Sequence, residues 1–371
     1  MSFDRSTPSR RAMLASTSAA LVASPALLRH VNAQGLEKIR ITLPWLPEGS
    51  YAYAFVARAK GFWRERGLDV DIARGTGALA AAQNIAQGQF DLGLSTAGAL
   101  VLLSDKGVDL KSIALVDYEP TMAVAVLGNS PVKSPKDLEG KKVGQTLAST
   151  DAPFFAPFCK INGVDISKVQ LLNMDARVRN QALVEGKVDA ITGLASSVYG
   201  AVGASGTPVR FMLYSDYGLT LYGNVALVAT PKVLESRKAM CQAVADGLME
   251  GLRLTLAKPT EAQELFLSAV PELKMTATGP QFTRLGMGVQ RFSVLTSPEA
   301  RTNGLGWHEI AKLEKMTDFV MEYQASPGSK RLDVKGRFTN EFVGKVKMSE
   351  AEWAAADKET DWVRKALGRN A

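Results

Sequence analysis
Short polar side chains recur where strand-like runs give way to helical ones. Trp45 and Tyr51 follow the first such run, and Ser95 and Thr96 the third. Ser149, Thr150 and Asp151 follow a later one, and Thr192 and Gly193 one later still. In open α/β sheets a ligand sits beyond the carboxyl ends of the strands, where free backbone N–H groups and helix dipoles favour anions. Serine, threonine and aspartate are also the preferred N-caps of helices, so each alone reads as a cap. Facing one another across a cleft, Ser95 and Thr96 with Ser149 and Thr150 would grip a carboxylate, a sulfonate or a ring heteroatom. Trp45, flanked by Pro44 and Pro47, is suited to a stacking wall, or else it closes a core. Tyr222, like Tyr118 and Tyr217, either reaches that cleft or packs a hinge, and Asn224 offers an amide beside it. Asp151 would repel an anion. If it points inward the ligand must carry an amino or other donor group; if it only caps a helix, a simple anion remains open.

Other chemistries lack their parts. Gly75-Thr76-Gly77-Ala78-Leu79-Ala80 mimics a dinucleotide-binding turn, but Leu94-Ser95 stands where the acidic partner belongs, roughly 20 residues on. There is no lysine-containing phosphate loop. Apart from His30 near the amino end, His308 is the one histidine, which leaves no Ser-His pair and no histidine cluster for a metal. No catalytic residue, metal ligand or cofactor is expected.

The elements that position these residues alternate. Strand-like runs at Lys38–Pro44, Leu68–Ala73, Phe90–Leu94 and Lys111–Val116 are separated by helical runs at Tyr51–Phe62, Ala78–Ala86 and Ala97–Ser104. The spacing predicts βαβ units and a largely parallel sheet. The pattern then restarts after Ser134-Pro135, with strands at Lys142–Gln145, Val169–Leu172 and Val188–Thr192. Gly88-Gln89-Phe90-Asp91 and Gly186-Lys187-Val188-Asp189 echo each other as helix-to-strand junctions. Beyond Pro231 the pattern is helical, most clearly at Val233–Leu256 and Trp307–Tyr323. The expected division is one lobe of residues 34–120 and 225–371 and a second of 121–224, with crossings near Asp117–Val124 and Leu219–Val228.

Residues 1–33 read as an export leader. Paired Arg10 and Arg11 precede a small, apolar stretch, and Val31-Asn32-Ala33 offers a cleavage site near Ala33. The arginine pair is that of a twin-arginine signal. With four arginines and one aspartate removed, the formal charge falls from +7 to +4, with no block of like charge, which argues against nucleic acid. Cys159 and Cys241 are too few for a disulfide framework and read as buried thiols.

Trp45-Leu46-Pro47, Ala59-Lys60-Gly61-Phe62, Gly67-Leu68-Asp69-Val70, Gly88-Gln89-Phe90-Asp91 and Asp137-Leu138-Glu139-Gly140-Lys141-Lys142-Val143-Gly144 follow one another in an order that resembles the nitrate/sulfonate/taurine-type solute-binding proteins of ABC importers. Their superfamily contains a thiamine-pyrimidine-synthase-like branch. The resemblance implies a type II periplasmic-binding fold: α/β, two lobes with mainly parallel sheets, two crossovers, and the helical carboxyl part on the first lobe. It implies a monomeric periplasmic protein that captures a small organic solute and delivers it to a permease and its ATPase; a periplasmic ligand sensor would share these features. The synthase branch consists of iron enzymes with a cysteine-rich motif and an active-site histidine. Here Phe154–Lys160 holds only Cys159, so a binding protein is expected and not an enzyme.

Overall fold
A computed structural model describes residues 35–104, 106–325 and 328–369. The leader and its cut near Ala33 lie outside the described residues. Among the described residues ten strands form two five-stranded sheets. The first contains β1 (Glu37–Thr42), β2 (Leu68–Ala73), β3 (Leu92–Ser95), β4 (Lys111–Leu115) and, from far along the chain, β10 (Ala226–Ala229), in the order β2-β1-β3-β10-β4. The second contains β5 (Met122–Leu127), β6 (Lys142–Gln145), β7 (Gln170–Asn173), β8 (Ala190–Leu194) and β9 (Val209–Leu213), in the order β7-β6-β8-β5-β9. Each sheet is mainly parallel, and its one antiparallel strand is the one the chain enters on crossing over, β10 or β5.

Helices α1 (Ala52–Ala59), α2 (Ala78–Ala86) and α3 (Ala97–Ser104) connect the first sheet; α4 (Ala152–Ile161), α5 (Ala176–Val184) and α6 (Ala195–Gly203) connect the second. The carboxyl part adds α7 (Pro231–Ser236), α8 (Lys238–Ala257), α9 (Pro259–Ala269), α10 (Pro271–Lys274) and α11 (Gly279–Leu295). It ends with α12 (Pro298–Asn303), α13 (Ile310–Gln324), α14 (Val334–Arg337) and α15 (Glu350–Ala366). Central strands β3 and β10 are buried along their whole length, as helices on both faces require, whereas edge strand β7 is largely exposed. Register is set by apolar pairs such as Ile39 with Val70 and Ile41 with Ile72; a one-residue slip would turn these side chains to the wrong face.

The sequence echo is structural. Gly88 and Gly186 both adopt left-handed backbone (φ 76° and 68°), which stops a helix at little steric cost. Three residues later Asp91 and Asp189 bond to the neighbouring strand in the same way. Each carboxylate accepts from a backbone N–H, Arg40 or Lys142, at 2.8 Å, and each backbone N–H donates to that residue's carbonyl.

The predicted helix Val233–Leu256 breaks at Arg237, whose backbone leaves the helical region. Its guanidinium bridges Glu37 and Asp91 at the foot of the first sheet, a tertiary demand that helical periodicity does not register. Helices α8 and α9 pack on α1, as expected for a carboxyl part lying on the first sheet's layer. Helix α11 goes further and lies against α6 of the second sheet's layer, with Gly286 close to the Ser196 carbonyl. Cys159 and Cys241 are buried free thiols. Among the described residues no helix is long and apolar enough to cross a membrane.

One expectation fails. Ser112 and His308 do meet: Oγ lies 2.7 Å from Nε2, while Nδ1 lies 3.0 Å from Asn340 Oδ1. That arrangement has the outline of a catalytic triad, but Ser112 and His308 are buried, and burial pulls the imidazole pKa down to about 4. The ring is therefore neutral at physiological pH. It ties β4 to the carboxyl segment, where Thr339 N–H also donates to the Ser112 carbonyl.

Candidate functional site
A narrow slot opens between the strand tips of the two sheets. From the first side come Pro44, Trp45, Tyr51, Ala78 and Thr96; from the second come Ser149, Thr150, Asp151, Arg179, Leu194 and Ser197. It spans about 370 Å³, part of it open to solvent.

Residues named from sequence fall into three groups. Trp45, Tyr51, Thr96, Ser149, Thr150 and Asp151 line the slot. Thr192, Gly193 and Asn224 are buried and do not line it. Thr192 is fully buried, with no hydrogen-bond partner for its hydroxyl. Asn224 bonds to Asp117 through backbone and side chain, and its Oδ1 is unpartnered. Ser95 and Tyr222 belong elsewhere. Ser95 Oγ donates to the Ala78 carbonyl at 2.8 Å, turned into the first sheet's packing. Tyr222 O–H donates to Glu299 at 2.6 Å, so it packs against α12.

The capping alternative now resolves atom by atom. Thr96 Oγ1 accepts from Ala99 N–H at 3.1 Å and also lies 3.3 Å from Thr150 Oγ1 across the slot. It caps α3 and touches the opposite side at once. Ser149 Oγ is spent on the Thr146 carbonyl at 2.7 Å. Asp151 occupies the N-cap position of α4 but makes no capping hydrogen bond, and its Oδ2 is buried without a partner.

Sequence reading missed three charged or polar groups here: Arg179, Glu48 and Ser197. Arg179 sits on α5, where an arginine ordinarily reads as a solvated face. It is 1 % exposed, with its guanidinium 5.9 Å from the Trp45 ring centroid and bonded to Asn180 Oδ1. Gly193 in β8 helps make that possible: a Cβ there would lie 3.1 Å from the guanidinium, tighter than an ordinary contact. That glycine was the available signal. Burial draws the Arg179 pKa down, and Asp151 and Glu48 oppose the shift, so the group keeps its charge.

Glu48, from the loop after β1, reaches across to Ser197 in the first turn of α6 and also accepts from Ser50 at 3.3 Å. Burial pushes its pKa from 4.5 up to about 7, opposed by the two hydroxyls and Arg179. Asp117, on the first crossover, is likewise raised to about 7 by burial, against hydrogen bonds from Gln290 and Asn224. The slot thus holds one buried cation between two carboxyl groups, beside an aromatic wall. It can receive hydrogen bonds from a ligand at Asp151 and offer charge at Arg179. Among the described residues no cluster of three His, Cys, Asp or Glu side chains is placed to hold a metal ion.

Comparison with known proteins gives this geometry its setting. The family model described as NMT1/THI5 like matches residues 49–262, more than half of the chain. A formylaminopyrimidine-binding protein of Halalkalibacterium halodurans is 26 % identical over 236 residues, 63 % of this chain and 71 % of that protein. A 4-amino-5-hydroxymethyl-2-methylpyrimidine phosphate synthase of Saccharomyces cerevisiae, THI13, is 23 % identical over 266 residues, 67 % of this chain and 76 % of the enzyme. The alkanesulfonate-binding protein SsuA of Xanthomonas axonopodis pv. citri, solved with MOPS bound, superposes with a TM-score of 0.63 at 15 % identity. That match covers 83 % of this chain and 99 % of the other. The periplasmic-binding fold that the sequence resemblance implied is therefore the observed one, and the chain belongs to the NMT1/THI5-like family.

Proposed function
We propose that this protein is the periplasmic substrate-binding component of an ABC importer, and that its solute is a small planar nitrogen heterocycle with amino or other donor groups, of the aminopyrimidine kind. Residues 34–120 with 225–371, and 121–224, act as lobes that close on the solute and present it to a permease and its ATPase. The observation that carries this reading is Asp151, buried in the slot with an unpartnered Oδ2. An unsatisfied buried acceptor is costly, and a ligand N–H repays that cost where nitrate or a plain alkylsulfonate cannot. Trp45 in the lining supplies a face for a flat ring. The relative that binds a formylaminopyrimidine points to the same solute class.

The synthase relatives favour an enzymatic reading of the same fold. Against it, the slot lining has no histidine or cysteine, and His308 is engaged with Ser112 and Asn340. A sensor that passes its closed lobes to a receptor would use the same slot. Titration calorimetry with a formylaminopyrimidine, nitrate and ethanesulfonate tests the solute class. The heterocycle should bind at least a hundredfold more tightly than either anion; tighter binding of a plain anion would overturn the assignment. Native mass spectrometry of freshly purified protein should show the heterocycle carried over from the cell.

A further inference from the structure
A polar cluster lies where the two crossings meet α1 and α11. Asp117, on the first crossing, is 3 % exposed. It accepts from Gln290 Nε2 of α11 at 2.8 Å and from the side chain of Asn224 on the second crossing. Tyr53, in the first turn of α1, is fully buried. Tyr53 Oη, Asn224 Oδ1 and Gln290 Oε1 are buried without a partner. These four residues are not among those that line the slot.

Tyr51 belongs to both places. It lines the slot, its ring meets the Tyr53 ring edge-on at 6.4 Å, and α11 packs on its turn, Gly49–Tyr51. Burial pushes both phenols well above their ordinary range, and the charge of Asp117 adds to the shift in each, as it does only for groups close by. We propose that Tyr51 is a specificity-determining residue: its ring parts the slot from this cluster and confines the solute to one ring, and a shorter side chain there admits a fused two-ring heterocycle with a ureide edge.

The solute class follows from the atoms. The free oxygens of Asn224 and Gln290 can each accept from an N–H, and Tyr53 O–H can donate to a carbonyl. Together they complement an edge that runs N–H, C=O, N–H. Buried polar atoms left unpaired are costly, so a solute edge that pairs them gains more than apolar contact alone would give. A one-ring solute held at Asp151 leaves them unpaired as long as the Tyr51 ring stands between.

The proposal rests on the slot being the solute site, and lumazine, a fused two-ring dione with such an edge, is the probe. In fluorescence titrations lumazine should bind about tenfold more tightly to Tyr51→Ala than to the unaltered protein. Tyr51→Leu, which keeps an apolar side chain, should show the same gain to a smaller degree even if the alanine variant folds poorly. Tyr53→Phe removes only a hydroxyl that has no partner. Added to either Tyr51 variant it should take back most of the gain, and alone it should leave the affinity for a formylaminopyrimidine unchanged. No gain in either Tyr51 variant overturns the proposal, and so does lumazine binding as tightly to the unaltered protein as to the variants. A gain that survives both Tyr53→Phe and Gln290→Leu overturns the assigned edge. If lumazine behaves as stated and no formylaminopyrimidine binds the unaltered protein, the partition stands and only the solute assignment falls.

Discussion
Thr96 and Asp151 stand at matching places, each where a strand of one sheet gives way to the helix that follows, and both residue types are favoured N-caps. Their atoms are used differently. Thr96 spends its oxygen on Ala99 N–H, so helix α3 is capped whether or not a solute is present. Asp151 leaves the start of α4 without a side-chain cap and keeps a buried oxygen unpaired. Propensity cannot tell these cases apart; an account of where each polar atom's hydrogen bond goes can. One mouth spends its oxygen on stability and contact; the other keeps a buried acceptor unpaired.

Asp151→Asn breaks this contrast most severely. It keeps the shape but removes the charge that a ligand N–H would meet, a loss of about 2–3 kcal/mol or roughly a hundredfold in affinity for an aminopyrimidine. Nitrate and ethanesulfonate should bind more tightly in the same variant, because a repelling group is gone. Unchanged calorimetric affinity for both classes would reduce Asp151 to a helix-end residue. Gly77→Val should rank next. A Cβ at Gly77 would sit 2.1 Å from the Ala148 carbonyl oxygen, just ahead of Ser149, Thr150 and Asp151. The loop of the first sheet can approach the mouth of the second only because Gly77 has no side chain, and its φ of 154° disfavours one as well. Solution scattering of the valine variant should show no compaction on adding solute, with affinity down about thirtyfold if closure contributes about 2 kcal/mol. Normal compaction would remove Gly77 from the closing surface.

Much of this architecture was legible because it is local. Apolar runs between glycine stops located the strands, and the Gly88–Asp91 and Gly186–Asp189 junctions announced the repeat. What escaped depends on distant partners. Arg237 breaks its helix to reach Glu37 and Asp91, and His308 finds Ser112 across 196 positions. Arg179 packs its guanidinium against Gly193 on another element, where a side chain would crowd it. In the slot, residue types at strand ends pointed to Trp45, Tyr51, Thr96 and Asp151. Sequence could not tell that Ser95 turns inward or that Tyr222 serves Glu299, since both follow from side-chain direction.

Glu48 sharpens the comparison through pH. Its carboxyl group joins the two sides through Ser197, and burial raises its pKa to about 7. In the unfolded chain, or in the open state that the proposed clamp requires, the group regains water and its ordinary pKa of 4.5. Closing therefore takes up a proton, and the stabilisation is fully present below the lower value and lost as pH rises through the higher one. Solute affinity should fall about tenfold between roughly pH 5 and pH 8, and Glu48→Gln should flatten the profile. Asp117 is raised by burial in the same range, so a profile that persists in Glu48→Gln and vanishes in Asp117→Asn would move the effect to the hinge.

The smallest expected effect bears on Thr96. Thr96→Ala removes a cap and a 3.3 Å contact with Thr150, so it should cost about 1 kcal/mol of folding stability, visible as a lower melting temperature. Thr96→Ser keeps the capping oxygen and should restore most of that loss. Because the hydroxyl is already committed, solute affinity in Thr96→Ala should change less than about threefold, which corresponds to well under 1 kcal/mol. A tenfold loss of affinity with an unchanged melting temperature would invert the assignment: Thr96 would then grip the solute, and both mouths would be working ends of the same clamp.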